Sequence, residues 1–395
     1  QAAQEGREAW QQYPVLYLDL NAKNYESREN LENVLDRHLS IWENKYGVKE
    51  KRVDLEDRFQ SLLRYIYETT HQQVIVLVDE YDKPLLLTLE ESLEDLNNEY
   101  RRILKGFFAV LKSGDPYLRF VFLTGVSRFS KISLFSDLNH LNDISLNRDY
   151  SSVCGITEEE LKSNFQPEIE ALSESEQLTY EETLEKLKQT YDGYLFIDGG
   201  VHVYNPFSLL NVFSDRMFFD YWFQSGTPTF LVQYLKKAHF YLPDLENNVE
   251  IDLSSLNNFK VDVGSPIPIL YQAGYLTLKS YNRRSGLYSL GYPNNEVKYG
   301  LIRNLLPSYS NLDETKVQRF VWQFYEKVCS GDVASFMQVI SDLLANIPYS
   351  SDSKDDVRWR EQNYQIAVAL IFQFMGMYTQ TEVYSAKGRA DCVVY

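Results

Sequence analysis

A chain of 395 residues with 44% apolar content is long enough for two or three domains with their own cores, and none of its apolar runs reaches the length of a membrane span. A net charge of −17 excludes attraction to nucleic acid over the whole surface, although a local basic groove could still hold a phosphate backbone. Cys154, Cys329 and Cys392 stand far apart without CxxC spacing, which excludes a disulfide framework and a cysteine zinc site and predicts a reducing, cytoplasmic setting.

The chain opens on Gln1-Ala2-Ala3, with neither Met nor a secretory apolar segment, and stops at Tyr395 within an apolar run, so both ends are expected to be cut. Pro14 to Asn21 reads as a first strand, followed by Leu31, Val34, Leu35, Leu39 and Trp42 at helical spacing. A second helix carries Leu55, Phe59, Leu62, Leu63 and Ile66. The run Val74-Ile75-Val76-Leu77-Val78 is too short for a buried helix and suits a central strand covered on both faces. A long helix around Tyr100 to Leu111 and a third strand from Leu118 to Thr124 complete the alternation, which predicts crossovers and a parallel sheet.

Two acids, Asp79 and Glu80, close the central strand. In open α/β sheets ligands bind beyond the carboxyl ends of the strands, so this pair has the layout of a Walker B element. In that chemistry the first acid holds Mg²⁺ and the second orients or deprotonates the water that attacks a γ-phosphate. Thr124, at the end of the third strand, is placed to sense that phosphate or its water, and Arg128 or Lys131 to neutralise phosphate charge. A solvated acidic turn, a helix cap and surface charges are the bland readings of the same residues. The Gly-rich loop that cradles phosphates is missing, because Gly106 to Ser113 has Leu111 where a second glycine belongs and lies inside a helical pattern.

Beyond about residue 150 the alternation stops. Thr157 to Glu160 and Thr179 to Glu182 read as capping boxes whose acids serve the helix dipole. Tyr191-Asp192-Gly193-Tyr194 and Tyr204-Asn205-Pro206-Phe207 read as turns around a short hairpin with Gly199-Gly200 at its tip. A helix running from Ile269 into strands before and after Asn282 to Gly286 predicts a winged-helix ending, with Arg283 and Arg284 at the wing tip. After further helices and a polar linker from Tyr349 to Asp356, a helix carries Glu361, and strands follow around Val383 and from Gly388. Asp391 heads the last strand, and a strand Asp after a helix Glu can form half of a Mg²⁺ site for phosphodiester hydrolysis.

In order, Val78 to Pro84, Leu123 to Ser130, Leu134 to Asn139, Tyr191 to Tyr194 with Asn205 to Phe207, Tyr271 to Leu276, and Gly388 to Asp391 resemble a bacterial, Bacteroidetes-type family. Its members join an AAA-ATPase-like domain to a PD-(D/E)xK nuclease-like domain. The resemblance implies an α/β fold in three parts: a P-loop NTPase-like core (1–150), a helical and winged-helix lid (151–305), and linker helices with the start of the nuclease-like domain (306–395). It implies ATP and Mg²⁺ as cofactors, with Asp79, Glu80, Thr124 and Arg128 binding ATP, and Glu80, Glu361 and Asp391 catalytic. Asp79 and Asp391 are the implied metal ligands, and a nucleotide and nucleic acid the implied partners, with no membrane involved. The departures are the Gly-Lys-Ser/Thr loop, which would precede Gln1, the Glu-x-Lys, which would follow Tyr395, and Gln365 in place of a His. They predict a fragment that neither binds ATP tightly nor cuts DNA. The alternative is an interaction module, either without enzymatic activity or switched by ATP.

Overall fold

The computed structural model describes residues 11–21, 25–49, 52–88, 91–126, 141–225, 231–232, 234–235, 238, 240–247, 249–257, 265–310, 314–345, 355–385 and 388–394. The chain divides into two compact units, 1–142 with 257–262, and 143–256 with 263–395.

In the first unit, β1 (Val15–Asp19), β2 (Val74–Asp79) and β3 (Leu118–Leu123) form a parallel sheet in that order. Parallel neighbours need crossover connections, supplied here by α1 (Arg28–Tyr46) and α2 (Leu55–Thr70), then by α3 (Lys83–Leu86) and α4 (Glu94–Ser113). The apolar stripes of the long helices are those the spacing predicts: Leu31, Leu35 and Leu39 on α1, Phe59, Leu62 and Ile66 on α2, and Leu104, Phe107 and Val110 on α4 are all buried. Phe59 and Phe107 stack at 4.7 Å between ring centroids. The rejected phosphate loop does lie in a helix, since Gly106 is inside α4.

One expectation is corrected. Leu16, Leu18, Val74, Val76 and Val78 are buried, but Val15, Tyr17, Phe120 and Phe122 are exposed and Ile75 and Leu77 only half-buried. The central strand is therefore not covered on both faces. Consecutive strands joined by crossovers of the same hand gather their helices on one side, and successive side chains point to opposite faces.

Between α1 and α2 lies a buried ion network. Arg58 donates from Nε to Glu43 Oε1 and from a terminal nitrogen to Oε2, both at 2.9 Å, and also bonds Asp36 and Ser40.

The second unit begins with a two-residue strand β4 (Ile156–Thr157), followed by α5 (Glu158–Asn164), α6 (Gln166–Glu176) and α7 (Tyr180–Tyr191). Both capping boxes form as expected, at Thr157 with Glu160 and at Thr179 with Glu182. Strand β5 (Val203–Tyr204) pairs with β4 and leads into α8 (Pro206–Asp215), capped by Asn205. Leu161, Ile169, Leu172, Leu187, Tyr191 and Leu209 share one core.

Further on, β6 (Val249–Asp252), α9 (Leu253–Asn257), α10 (Ile267–Gln272), β7 (Thr277–Asn282) and β8 (Leu287–Gly291) follow, the strands forming an antiparallel sheet in the order β6-β8-β7. The helix and hairpin are as the sequence predicts; β6 is an addition. The chain continues through α11 (Asn295–Ser310), α12 (Glu314–Cys329), α13 (Val333–Ala345) and α14 (Asp355–Phe374) to the hairpin of β9 (Thr379–Ser385) and β10 (Gly388–Val394). Asp355 and Asp356 already belong to α14, and residues 349–354 of the predicted linker lie outside the described residues. Glu296 ties α11 to its neighbours, accepting from Ser208 Oγ at 2.7 Å and from the Trp222 backbone N–H at 2.9 Å.

Candidate functional site

The three parallel strands end at one edge, and cross-strand backbone bonds tie it together. Asp19 stands opposite Asp79 in the ladder, the Leu20 N–H donates to the Asp79 carbonyl at 3.1 Å, and the Tyr81 N–H donates to the Thr124 carbonyl at 3.0 Å. This register brings side chains from β1, β2 and the end of β3 to one point. The Asp79 carboxylate accepts from Thr124 Oγ1 at 2.6 Å and from the Glu80 N–H at 3.1 Å on Oδ1, and from the Tyr17 hydroxyl at 3.0 Å on Oδ2. Two oxygens are thereby held in one orientation by donors on the two flanking strands. The bond to Asp79 is also the first reason the Tyr17 phenol is raised above its ordinary pKa.

Glu80 is held differently. Its φ of 54° is left-handed, a conformation that L-residues other than glycine rarely adopt and that costs about 1–2 kcal/mol. The Oε2 atom is buried with no hydrogen-bond partner. Burial pushes its carboxyl above the ordinary carboxylate range; Lys83 opposes this, while Asp82, Asp79 and Asp19 add to it. An acid shifted in that direction beside a fixed carboxylate is suited to accept a proton from water.

The turn beneath the pair is tightly packed. Asp82 is fully buried and accepts from the Val126 N–H at 3.2 Å. A Cβ on Gly125 would run into the Asp82 carboxylate and come within 2.8 Å of the Tyr81 ring, so only glycine fits there.

Sequence reasoning thus named Asp79, Glu80 and Thr124, and all three lie together. Arg128 and Lys131 lie outside the described residues, as does the stretch from Leu134 to Asn139. Glu361 is on α14 and Asp391 on β10, but the side chains of both are outside the described residues. Tyr17 was missed, although its position two residues before the strand-end acid Asp19 was readable. His38 of α1 was missed too. It bonds the Asp19 backbone, its Nε2 is shielded without a partner, and burial lowers its pKa.

The oxygen donors at this edge fit Mg²⁺. That ion is commonly bound by one or two carboxylates with substrate phosphate and water rather than by an all-protein cage. Among the described residues there is no cluster of three acid, His or Cys ligands. No described helix is long and apolar enough to cross a membrane.

A three-stranded parallel sheet with an acid pair and a strand-end hydroxyl at its carboxyl edge is the layout in which open α/β folds bind ligands. Residues 2–135 match the family model described as "Predicted AAA-ATPase", which supports ATP binding by this part of the chain. A relative from Azotobacter chroococcum mcd 1, described as "Uncharacterized protein in vnfD 5'region", is 34% identical over 384 residues, covering 97% of this chain and 71% of the relative. The chain belongs to the same family as that protein, with an AAA-ATPase-like region at its N-terminal end. No solved structure matches it.

Proposed function

We propose that the first unit hydrolyses ATP at the edge formed by Asp79, Glu80 and Thr124, and that this turnover controls a nuclease-like C-terminal region acting on nucleic acid in the cytoplasm. Asp79 holds Mg²⁺ directly or through water, with its carboxylate pre-oriented by Thr124 and Tyr17. When bound, the ion neutralises charge on the phosphates. Glu80 orients the attacking water and takes its proton, Thr124 reports on the phosphate through its hydroxyl, and Arg128 supplies a compensating charge. Glu361 and Asp391 are the acids assigned to phosphodiester hydrolysis, and residues 151–305 act as the lid that couples the two activities. The reading rests above all on Glu80, a strained residue with a shielded and unpartnered oxygen adjoining an acid held by two donors.

The test is Glu80→Gln in the full-length product of the gene. Mg²⁺-dependent ATP turnover should fall by about 100-fold, the order of effect of removing a general base, with nucleotide affinity retained. Unchanged turnover would refute the assignment.

A further inference from the structure

The face of the first unit's sheet that the crossover helices leave uncovered is ordered in rows. The register sets Val15 beside Ile75 and Ile75 beside Phe120; one step further it sets Tyr17 beside Leu77 and Leu77 beside Phe122. Alternate residues of a strand share a face, so these six side chains stand on the same side. Val15, Tyr17, Phe120 and Phe122 are 38–53% exposed, and the Phe120 and Phe122 rings stack at 6.1 Å along the edge strand. None of the six carries a charge. The next row is acidic: Asp19 and Asp79 stand side by side at the carboxyl end of this face, with the Thr124 hydroxyl on Asp79 at 2.6 Å.

Parallel sheets are normally covered on both faces, and a contiguous exposed apolar patch marks an interaction site. Its size indicates what fits. The six side chains together expose about 400 Å². Two copies joined through this face would bury about 800 Å², short of the roughly 1,000 Å² of a stable interface, and each copy carries a net charge of −17. A single helix matches better. Three strands about 4.8 Å apart span about 10 Å, the diameter of one α-helix, and the three rows extend about 13 Å, or between two and three of its turns.

Charge indicates the rest. Asp19, Asp79 and Asp82 surround Glu80 at the carboxyl end and help to raise its carboxyl, with Lys83 opposing them. Asp79 has both oxygens engaged, by Thr124 and the Glu80 N–H on one and by Tyr17 on the other. Asp19, whose Oδ1 accepts from the Asn21 N–H at 2.7 Å, is the acid at the corner of the face. An occupant complementary to both parts is apolar along its length and basic at one end.

We propose that this face docks an amphipathic helix of another protein, with its apolar stripe on the two apolar rows and a lysine or arginine near its end on Asp19. A helix so placed packs on the Tyr17 ring, whose hydroxyl holds Asp79, and so connects the partner with the acid edge.

The experiment is fluorescence anisotropy, without nucleotide, of the full chain with a labelled, hydrocarbon-stapled helical peptide of about 14 residues. The peptide carries leucines at helical spacing, glutamines elsewhere and two arginines at one end; a second peptide has glutamates in place of the arginines. The arginine peptide should bind with a micromolar Kd, and the glutamate peptide more weakly by about tenfold or more. Phe120→Ser and Asp19→Asn should each weaken binding of the arginine peptide to a similar degree, with unchanged circular dichroism. Asp19→Asn keeps the acceptor for Asn21, so the test stays valid should Phe120→Ser fail to fold. The inference is overturned if the arginine peptide does not bind, as when another segment of this chain covers the face, if both peptides bind equally, or if a folded variant leaves binding unchanged. It is also overturned if the chain sediments as a dimer that Phe120→Ser dissociates, which would assign the face to a second copy. Because no nucleotide is present, the outcome is independent of the hydrolytic reading of the acid edge.

Discussion

Replacing Glu80 with glycine separates a functional acid from a structural one. Glycine adopts φ 54° without strain, which recovers about 1–2 kcal/mol of left-handed penalty. Removing the shielded, unpartnered Oε2 recovers about 1–3 kcal/mol more. Against this stands the greater backbone entropy of glycine in the unfolded chain, about 0.5–1 kcal/mol. The net is a stabilisation of about 1–4 kcal/mol, which for a unit of this size raises the melting temperature by roughly 2–4 °C per kcal/mol. Differential scanning calorimetry on Glu80→Gly and wild type resolves the shift, and ATP turnover on the same samples should fall. A melting temperature unchanged or lowered would mean that Glu80 contributes to the fold, and the argument that strain at this position serves chemistry would be wrong.

Arg58→Ala should act in the opposite way: it leaves Glu43, 2% exposed, as an unpaired buried carboxylate and should cost about 3–5 kcal/mol, read as a lowered urea midpoint. A loss below 1 kcal/mol would show that the network contributes little. Glu296 titrates at about 7 in the fold, against 4.5 as its ordinary value, because burial disfavours its charge. The folded state therefore binds the proton more readily than the unfolded one. Stability of the second unit should rise as pH falls from about 8 to 5, by up to about 3 kcal/mol. Glu296→Gln should flatten that dependence in unfolding curves taken across the range, and an unaltered slope would assign it to other groups.

The first unit was largely legible because its signals are local. The β-branched run before Asp79 specified β2, and the helical stripes specified α1, α2 and α4. What the sequence could not show was coverage. A continuous apolar run reads the same whether one face or both are packed, and only the collection of helices on one side leaves Phe120 and Phe122 exposed. Thr124 was readable because a strand-end hydroxyl lies next to the acid in a parallel ladder. Tyr17 needed the register, since its bond to Asp79 spans 62 residues. The same holds for Asp192, whose setting depends on Pro293 and Asn294, about a hundred residues along the chain. Strand β6 was missed because four residues, two of them acidic, carry too little periodicity.

Four acids of this chain differ in how their shielded oxygens are matched. Glu43 and Glu296 have both oxygens matched, the first by two nitrogens of Arg58, the second by Ser208 and the Trp222 backbone. Both acids hold helices together, although at Glu296 burial outweighs the two bonds and keeps the carboxyl raised. Glu80 and Asp192 each keep an oxygen that nothing in the fold matches, although the residues around both are fixed by backbone bonds. An unmatched acceptor in a loose loop would simply turn to water. In a rigid setting it stays unmatched at a cost of about 1–3 kcal/mol. The two positions lie in different units, and only at Glu80 does the unmatched oxygen adjoin a carboxylate that donors from both neighbouring strands hold in place.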